Sequence, residues 1–228
     1  MKQLMITRQI SLAAGLLLAG LMISGCSTMY YVMDTNSDTV YEYQNDFFVS
    51  RIDSSVELHY EMWSQNASIW LSALNNTDRM LFVIIDSTYI EYKGERYRFD
   101  HLYDWEDYSK QLARIPNVED YDLNHVLPIL PGRWKGMMAE PLPMTVKEWE
   151  SIDPAVTYTK DNTPWSITVQ ICFYRDGNAY TPLCQRDEIW VESFTPVDGS
   201  LLRSLERDDK YQKADKFYIT NAMGWTTY

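Results

Sequence analysis

The sequence lacks the short motifs that identify the commonest catalytic sites. It contains no Gly-x-Ser-x-Gly nucleophile elbow, no His-Glu-x-x-His zinc motif, no Walker A loop and no Rossmann glycine pattern. Histidine is also scarce, and although acidic residues adjoin His101 and His125, their spacing matches no metal-binding loop. His59 alternates with apolar neighbours and reads as a surface histidine. We therefore expect no catalytic residues, no metal site, no cofactor and no enzymatic activity.

Positive charge is scarce as well. The chain has 20 Lys and Arg against 32 Asp and Glu, a formal net charge of −12. A protein that binds nucleic acid needs a basic surface that displaces counterions from phosphates, and no basic stripe is present. The balance excludes nucleic acid as a partner and is typical of a soluble, negatively charged domain.

The first 25 residues form a pattern typical of a secretory signal. Lys2 and Arg8 precede an apolar run over residues 10–23, which is too short for a permanent membrane span. The run ends in Ile23-Ser24-Gly25-Cys26, which resembles the lipobox of bacterial lipoproteins. The resemblance implies cleavage before Cys26 and lipid on its thiol, so that the membrane is a partner. Ser27 in the next position implies the outer membrane and leaves open whether the protein faces the periplasm or the cell surface.

Three cysteines are an odd number, and lipidation of Cys26 leaves Cys172 and Cys184 to pair. Residues 165–173 alternate between apolar and polar side chains, as a half-buried strand does. A tight turn at residues 176–177 would put the two cysteines on opposite faces. A loop centred on Asn178 instead places them opposite each other and aligns the apolar residues of both strands, so we predict a Cys172–Cys184 disulfide.

The remaining patterns predict a mainly β fold. Period-two alternation over residues 56–62, a strand apolar on both faces over 80–85 and a turn at Lys93-Gly94 predict an antiparallel meander. With later strands at 165–173, 183–194 and 216–220, about eight strands suggest a two-sheet sandwich, immunoglobulin-like in outline.

The predicted organisation has three parts: a lipoprotein signal over residues 1–25, a lipidated tether over 26–37, and one β-sandwich domain over 38–228. Within 26–37, residues 30–32 could instead form a first short strand. The domain carries an irregular insertion around residues 100–163, which holds most of the prolines. We expect one or two short helices there, at 105–113 and 145–149, and a proline-bounded edge strand or connector at 127–132. Residues 201–214 are expected to form a charged helix or loop.

The turn at Asn75-Asn76-Thr77-Asp78, the apolar strand after it and the strand over Trp190–Phe194 together resemble uncharacterised β-sandwich lipoproteins of Bacteroidota. The resemblance rests on loose patterns over about half of the mature chain and implies no catalytic residues.

Two functions are compatible with these patterns. We expect an envelope lipoprotein with a structural or partner-docking role, in which sheet edges or the insertion hold another protein. The alternative is a glycan-binding module whose exposed rings stack on sugars. Its candidate ligand-binding residues are Trp105, Tyr108, Trp134 and Trp149, which fall in the insertion, where burial is least assured.

Overall fold

Thirteen strands make up most of the described chain. The computed structural model describes residues 28–39, 42–44, 47–100, 125–144, 148–150, 152–175, 178–208, 210–211 and 213–220. The strands are β1 (Met29–Ser37), β2 (Glu42–Gln44), β3 (Phe47–Ile52), β4 (Val56–Glu61), β5 (Trp70–Asn75), β6 (Leu81–Ile84), β7 (Tyr89–Tyr92), β8 (Glu95–Asp100), β9 (Val126–Ile129), β10 (Trp134–Ala139), β11 (Ser166–Arg175), β12 (Asn178–Asp198) and β13 (Lys216–Thr220). Within these residues there is one α-helix, α1 (Gly199–Arg207), and a 3-10 turn at Ile85–Ser87. The predicted mainly β, antiparallel class is confirmed.

The strands form one curled sheet. Its order is β13-β1-β12-β11-β7-β8-β10-β5-β4-β3-β2, and β6 pairs with β11 and β9 beside this path. A two-sheet sandwich would have two separate sheets, whereas here β8 joins the two parts. Its first four residues pair with β7, and its last two, Phe99 and Asp100, pair with β10. The strand is long enough to belong to both parts.

The first described strand corrects the predicted tether. Residues 29–37 were assigned to a tether that begins at residue 26, but β1 lies inside the sheet between β12 and β13. Val32 and Met33 on β1 are buried. The structure shows the alternative prediction, a first strand. Val32 and Met33 lie on opposite faces of β1, and both faces are buried.

The predicted meander is wrong beyond its hairpins. The β4–β5 and β7–β8 pairs exist, and the turn between β7 and β8 has the positive φ angles of Lys93 and Gly94 that a tight hairpin requires. However, β5 pairs with β10 rather than with β6, and both β6 and β7 pair with β11. The β6 strand is buried on both faces, as predicted, since Leu81, Phe82 and Val83 are all covered.

The insertion around residues 100–163 contains two strands. β9 pairs with β6, and Pro128 lies opposite Phe82, so the proline-containing edge strand is confirmed. The sequence does not predict β10, because its inward and outward positions do not alternate between apolar and polar residues. Lys135 faces the interior and Gly136 the exterior. The predicted helix at 105–113 and the start of the one at 145–149 lie outside the described residues. The α-helix that is described follows β12, where a helix or loop was expected.

The β11–β12 hairpin has the predicted register. Cys172 lies opposite Cys184, Phe173 opposite Leu183 and Ile167 opposite Ile189, which confirms the alignment. The two sulfur atoms are bonded. The ladder then shifts, and Arg175 pairs with Asn178. β12 therefore bulges between Leu183 and Asn178, and the bulge allows both the cysteine pairing and a short connection between the strands. The predicted loop centred on Asn178 did not include this bulge. Residues 176 and 177 lie outside the described part.

Both parts of the sheet enclose one hydrophobic core. Leu58 and Leu71 from one part meet Val169 and Val191 from the other in the same cluster. A second, smaller cluster lies on the opposite side of β1, where Leu202 of α1 packs against Val32 and Val197.

Candidate functional site

One outward face of the sheet presents tryptophan rings to solvent. It is formed by alternate residues of β4, β5 and β10, whose intervening residues, such as Leu58, Leu71 and Met137, belong to the core. We call this the outer aromatic face. Its members are Glu57, His59, Glu61, Trp70, Ser72, Leu74, Trp134, Gly136 and Met138.

Trp134 is the most exposed ring on this face. It begins β10 opposite Leu74, and 44% of its surface is accessible to solvent. Its indole and the imidazole of His59 make an edge-to-face contact, with ring centroids 4.4 Å apart and planes at 72°. Such edge-to-face contact holds an aromatic ring in one orientation. The indole of Trp134 is thus exposed to solvent, while its contact with His59 fixes its orientation.

His59 is covered by this contact, which corrects its assignment as a surface residue. It is only 8% exposed. Its Nε2 lies 2.6 Å from Oε1 of Glu57, and Nε of Arg51 donates to the other oxygen of Glu57 at 3.2 Å. Burial raises the pKa of Glu57, but the hydrogen bonds from His59 and Arg51 outweigh it, and the pKa lies below its ordinary value. The network Arg51–Glu57–His59 supports Trp134 from the side.

Trp70 is the second indole of the face. Its Nε1 donates a 2.9 Å hydrogen bond to Oγ of Ser72. The ring lies over Gly136, where a Cβ atom would be 2.6 Å from Cζ2 of Trp70. Gly136 is the residue opposite Ser72, so the absence of a side chain there lets the indole lie close to the backbone of β10.

The face combines flat rings with hydrogen-bonding groups. The exposed Glu61 lies opposite Trp70, and the exposed Arg51 of β3 lies next to Glu57. Both carry groups that bond hydroxyls or amides. In the part of the chain that the structure describes, no group of three or more His, Cys, Asp or Glu residues could hold a metal ion. The arrangement can stack on and hydrogen-bond to a ligand.

The predicted site residues do not form one site. Trp134 lies on the outer aromatic face, whereas Trp149 is 2% exposed and packs against Phe194 in the core. Trp149 is thus a core residue and not a ligand contact. Cys26, Trp105 and Tyr108 lie outside the described residues, and so does His101.

Sequence reasoning missed Trp70, Glu57 and Arg51. Alternation along residues 57–61 and 70–74 places the members of each strand on one face. It does not show that β10, which comes about 60 residues later, pairs with β5 and places Trp134 beside them.

His125 does not take part in the outer aromatic face. Its Nδ1 lies 2.6 Å from Oδ2 of Asp86 at the surface.

No helix among the described residues has the length and apolar character that crossing a bilayer requires.

No protein family, curated protein or solved structure matches the chain.

Proposed function

We propose that the protein is a lipid-anchored envelope protein whose β domain binds glycans through the outer aromatic face. The observation that carries glycan binding is the exposed, positioned ring of Trp134. A side chain of this size normally buries most of its surface, so an indole held open on a sheet face points to a ligand that covers it. The apolar face of a sugar ring fits a flat indole, and its hydroxyls fit Arg51 and Glu61.

The expected contribution of Trp134 follows from its area. A buried aromatic side chain covers about 150–250 Å². The exposed part of Trp134 therefore offers on the order of 100 Å², which corresponds to roughly 2.5 kcal/mol when a ligand covers it. This value corresponds to a ten- to hundredfold change in affinity.

Binding of the full-length protein in detergent micelles to a panel of polysaccharides tests this proposal. We expect saturable binding to one glycan class, measured by titration calorimetry and affinity electrophoresis, and a loss of at least tenfold in Trp134→Ala. Trp149→Phe is the matched control, because Trp149 is buried and its Nε1 has no hydrogen-bond partner among the residues that the structure describes. Silence across the panel by folded protein would reject glycan binding, as would full affinity in Trp134→Ala.

The anchoring part of the proposal rests on the residues Ile23-Ser24-Gly25-Cys26. Growth with labelled palmitate in a Gram-negative host should label the protein and place it in the outer membrane, and Cys26→Ser should abolish the label. Unlabelled protein recovered in the soluble fraction would contradict this part alone. The partner-docking role stays a prediction of the sequence.

We also propose that the two parts of the curled sheet act as the two layers of an immunoglobulin-like sandwich. The shared core and the short β8–β10 junction of two residue pairs support this view.

A further inference from the structure

The distance between Cys26 and the folded domain is short. Three peptide steps separate Cys26 from Met29, the first residue of β1, and each step spans 3.8 Å at most, so the two Cα atoms lie within about 11 Å. A lipid on Cys26 therefore keeps the start of β1 next to the bilayer. This step rests on the proposed lipidation of Cys26.

Helix α1 lies at the same end of the sheet. Met29 pairs with Asp198, and the Asp198 side chain caps α1 by accepting hydrogen bonds from the backbone N–H groups of Ser200 and Leu201. Leu202 faces inward and is buried against β1 and β12. The first turn of α1 and the start of β1 are thus neighbours.

The exposed residues of α1 include one apolar side chain and two cations. Leu201 is 47% exposed, although it is a large hydrophobic residue. Arg203 and Arg207 lie one turn apart, and with Ser200, Ser204 and Asp208 they line an open groove along the helix. The helix itself carries two cations and one acid, Glu206, and acidic residues cap both of its ends, Asp198 and Asp208.

A group of half-buried aromatic rings adjoins the helix. Trp63 lies with its centroid 5.5 Å from that of Tyr218 and 5.9 Å from that of Tyr211, and Tyr30 lies 6.1 Å from Tyr218. Tyr30, Trp63 and Tyr218 also pack against the small cluster beneath α1. Tyr and Trp favour the boundary between the apolar and the hydrated layer of a bilayer, because one end of each ring system is polar.

We infer that this surface rests on the lipid bilayer. We define the α1 surface as Leu201, Arg203 and Arg207 together with the rings of Tyr30, Trp63, Tyr211 and Tyr218. In contact with the bilayer, Leu201 and the rings enter the interfacial layer, while the two guanidinium groups bind lipid phosphates. The occupant is the headgroup layer, since the anchor holds the domain against it.

This orientation places Trp134 at the end of the outer aromatic face that is farther from the membrane. Trp63 of the α1 surface follows Glu61 by two residues, so the α1 surface adjoins the end of the outer aromatic face that holds Glu61 and Trp70. Trp134 lies opposite Leu74, which is four residues from Trp70 along β5, or about 13 Å of extended strand. The length of β5 therefore separates Trp134 from the α1 surface.

A fluorescent label on the mature, lipidated protein tests this orientation. The protein is reconstituted into vesicles of phosphatidylethanolamine and phosphatidylglycerol that contain a nitroxide-headgroup lipid. One variant is Leu201→Cys, and the matched control is Val156→Cys, at another exposed hydrophobic residue. Val156 is two residues from Tyr158, whose backbone N–H donates to the carbonyl of Glu192. The side chain of Glu192 accepts a hydrogen bond from Asn36, near the end of β1 that is farther from Cys26.

We expect several-fold stronger quenching at position 201 than at position 156. A label at Ser204→Cys, also exposed on α1, should be quenched like position 201 and serves if the first variant folds poorly. Equal quenching at 201 and 156, or stronger quenching at 156, would overturn the orientation. Protein that does not float with the vesicles would instead contradict the proposed lipidation, so the two failures are distinguishable.

Discussion

The Tyr60 hydroxyl donates a 2.6 Å hydrogen bond to Oδ2 of Asp187 across the interior of the protein. Both residues are fully buried. The second oxygen of Asp187 accepts from Nε2 of Gln185, also at 2.6 Å. Burial raises the pKa of Tyr60 well above 10, and the neighbouring Asp187 raises it further, so the phenol remains a donor. This bond joins β4 to β12, which are far apart in the order of the sheet.

Tyr60→Phe should therefore destabilise the protein. The change removes the donor and leaves Oδ2 of Asp187 buried without this hydrogen bond, which costs about 1–3 kcal/mol. Urea unfolding measures the difference. Tyr97→Phe is the control, because its hydroxyl bonds to Glu95 at the surface, and it should change stability very little. Equal effects of the two substitutions would contradict a specific role for the buried bond.

Gly136→Ala should disturb the outer aromatic face. The new Cβ would lie 2.6 Å from the Trp70 ring, closer than packed atoms tolerate, so the indole must move. We expect a loss of about 1–3 kcal/mol in the free energy of unfolding, as in other overpacked sites. In a Trp70→Ala background the same glycine substitution should cost much less. A full penalty in that background would show that the indole is not the cause.

Glu57 should make the stability of the protein sensitive to acid. Its folded pKa lies below the ordinary 4.5, because the hydrogen bonds from His59 and Arg51 outweigh the effect of burial. The stability that Glu57 contributes is complete above about pH 4.5 and is lost as the pH falls through the folded pKa. The difference in unfolding free energy between the wild type and Glu57→Gln should thus shrink from pH 6 to pH 3. A difference independent of pH would contradict this network.

Removing the Cys172–Cys184 bridge should destabilise the protein. The bond closes a loop with a sequence separation of 12 residues, which corresponds to about 3 kcal/mol in the chain-entropy model. The double substitution to serine, compared with the oxidised wild type in urea unfolding, measures this value. Peptide mapping under non-reducing conditions checks the bond itself, and free thiols at both positions would show that the pairing is wrong.

Local patterns in the sequence determined much of the fold. Alternation identified β4 and β11, the apolar run identified β6, and Lys93-Gly94 identified a hairpin turn. The register of β11 against β12 was predictable, because a slip of one residue would have exposed an entire apolar face. These features depend on residues that are near one another in the chain.

The tertiary structure decided which strands are neighbours. The pairing of β10 with β5, the position of β1 inside the sheet and the use of β8 in both parts depend on contacts between distant segments, which periodicity within one strand does not encode. The same reason separates Trp134 from Trp149. Both are tryptophans in a proline-rich stretch, but Trp134 lies on the outward face of β10, whereas Trp149 reaches the core beside Phe194. Whether a ring is buried depends on what packs against it, and that is a property of the folded chain.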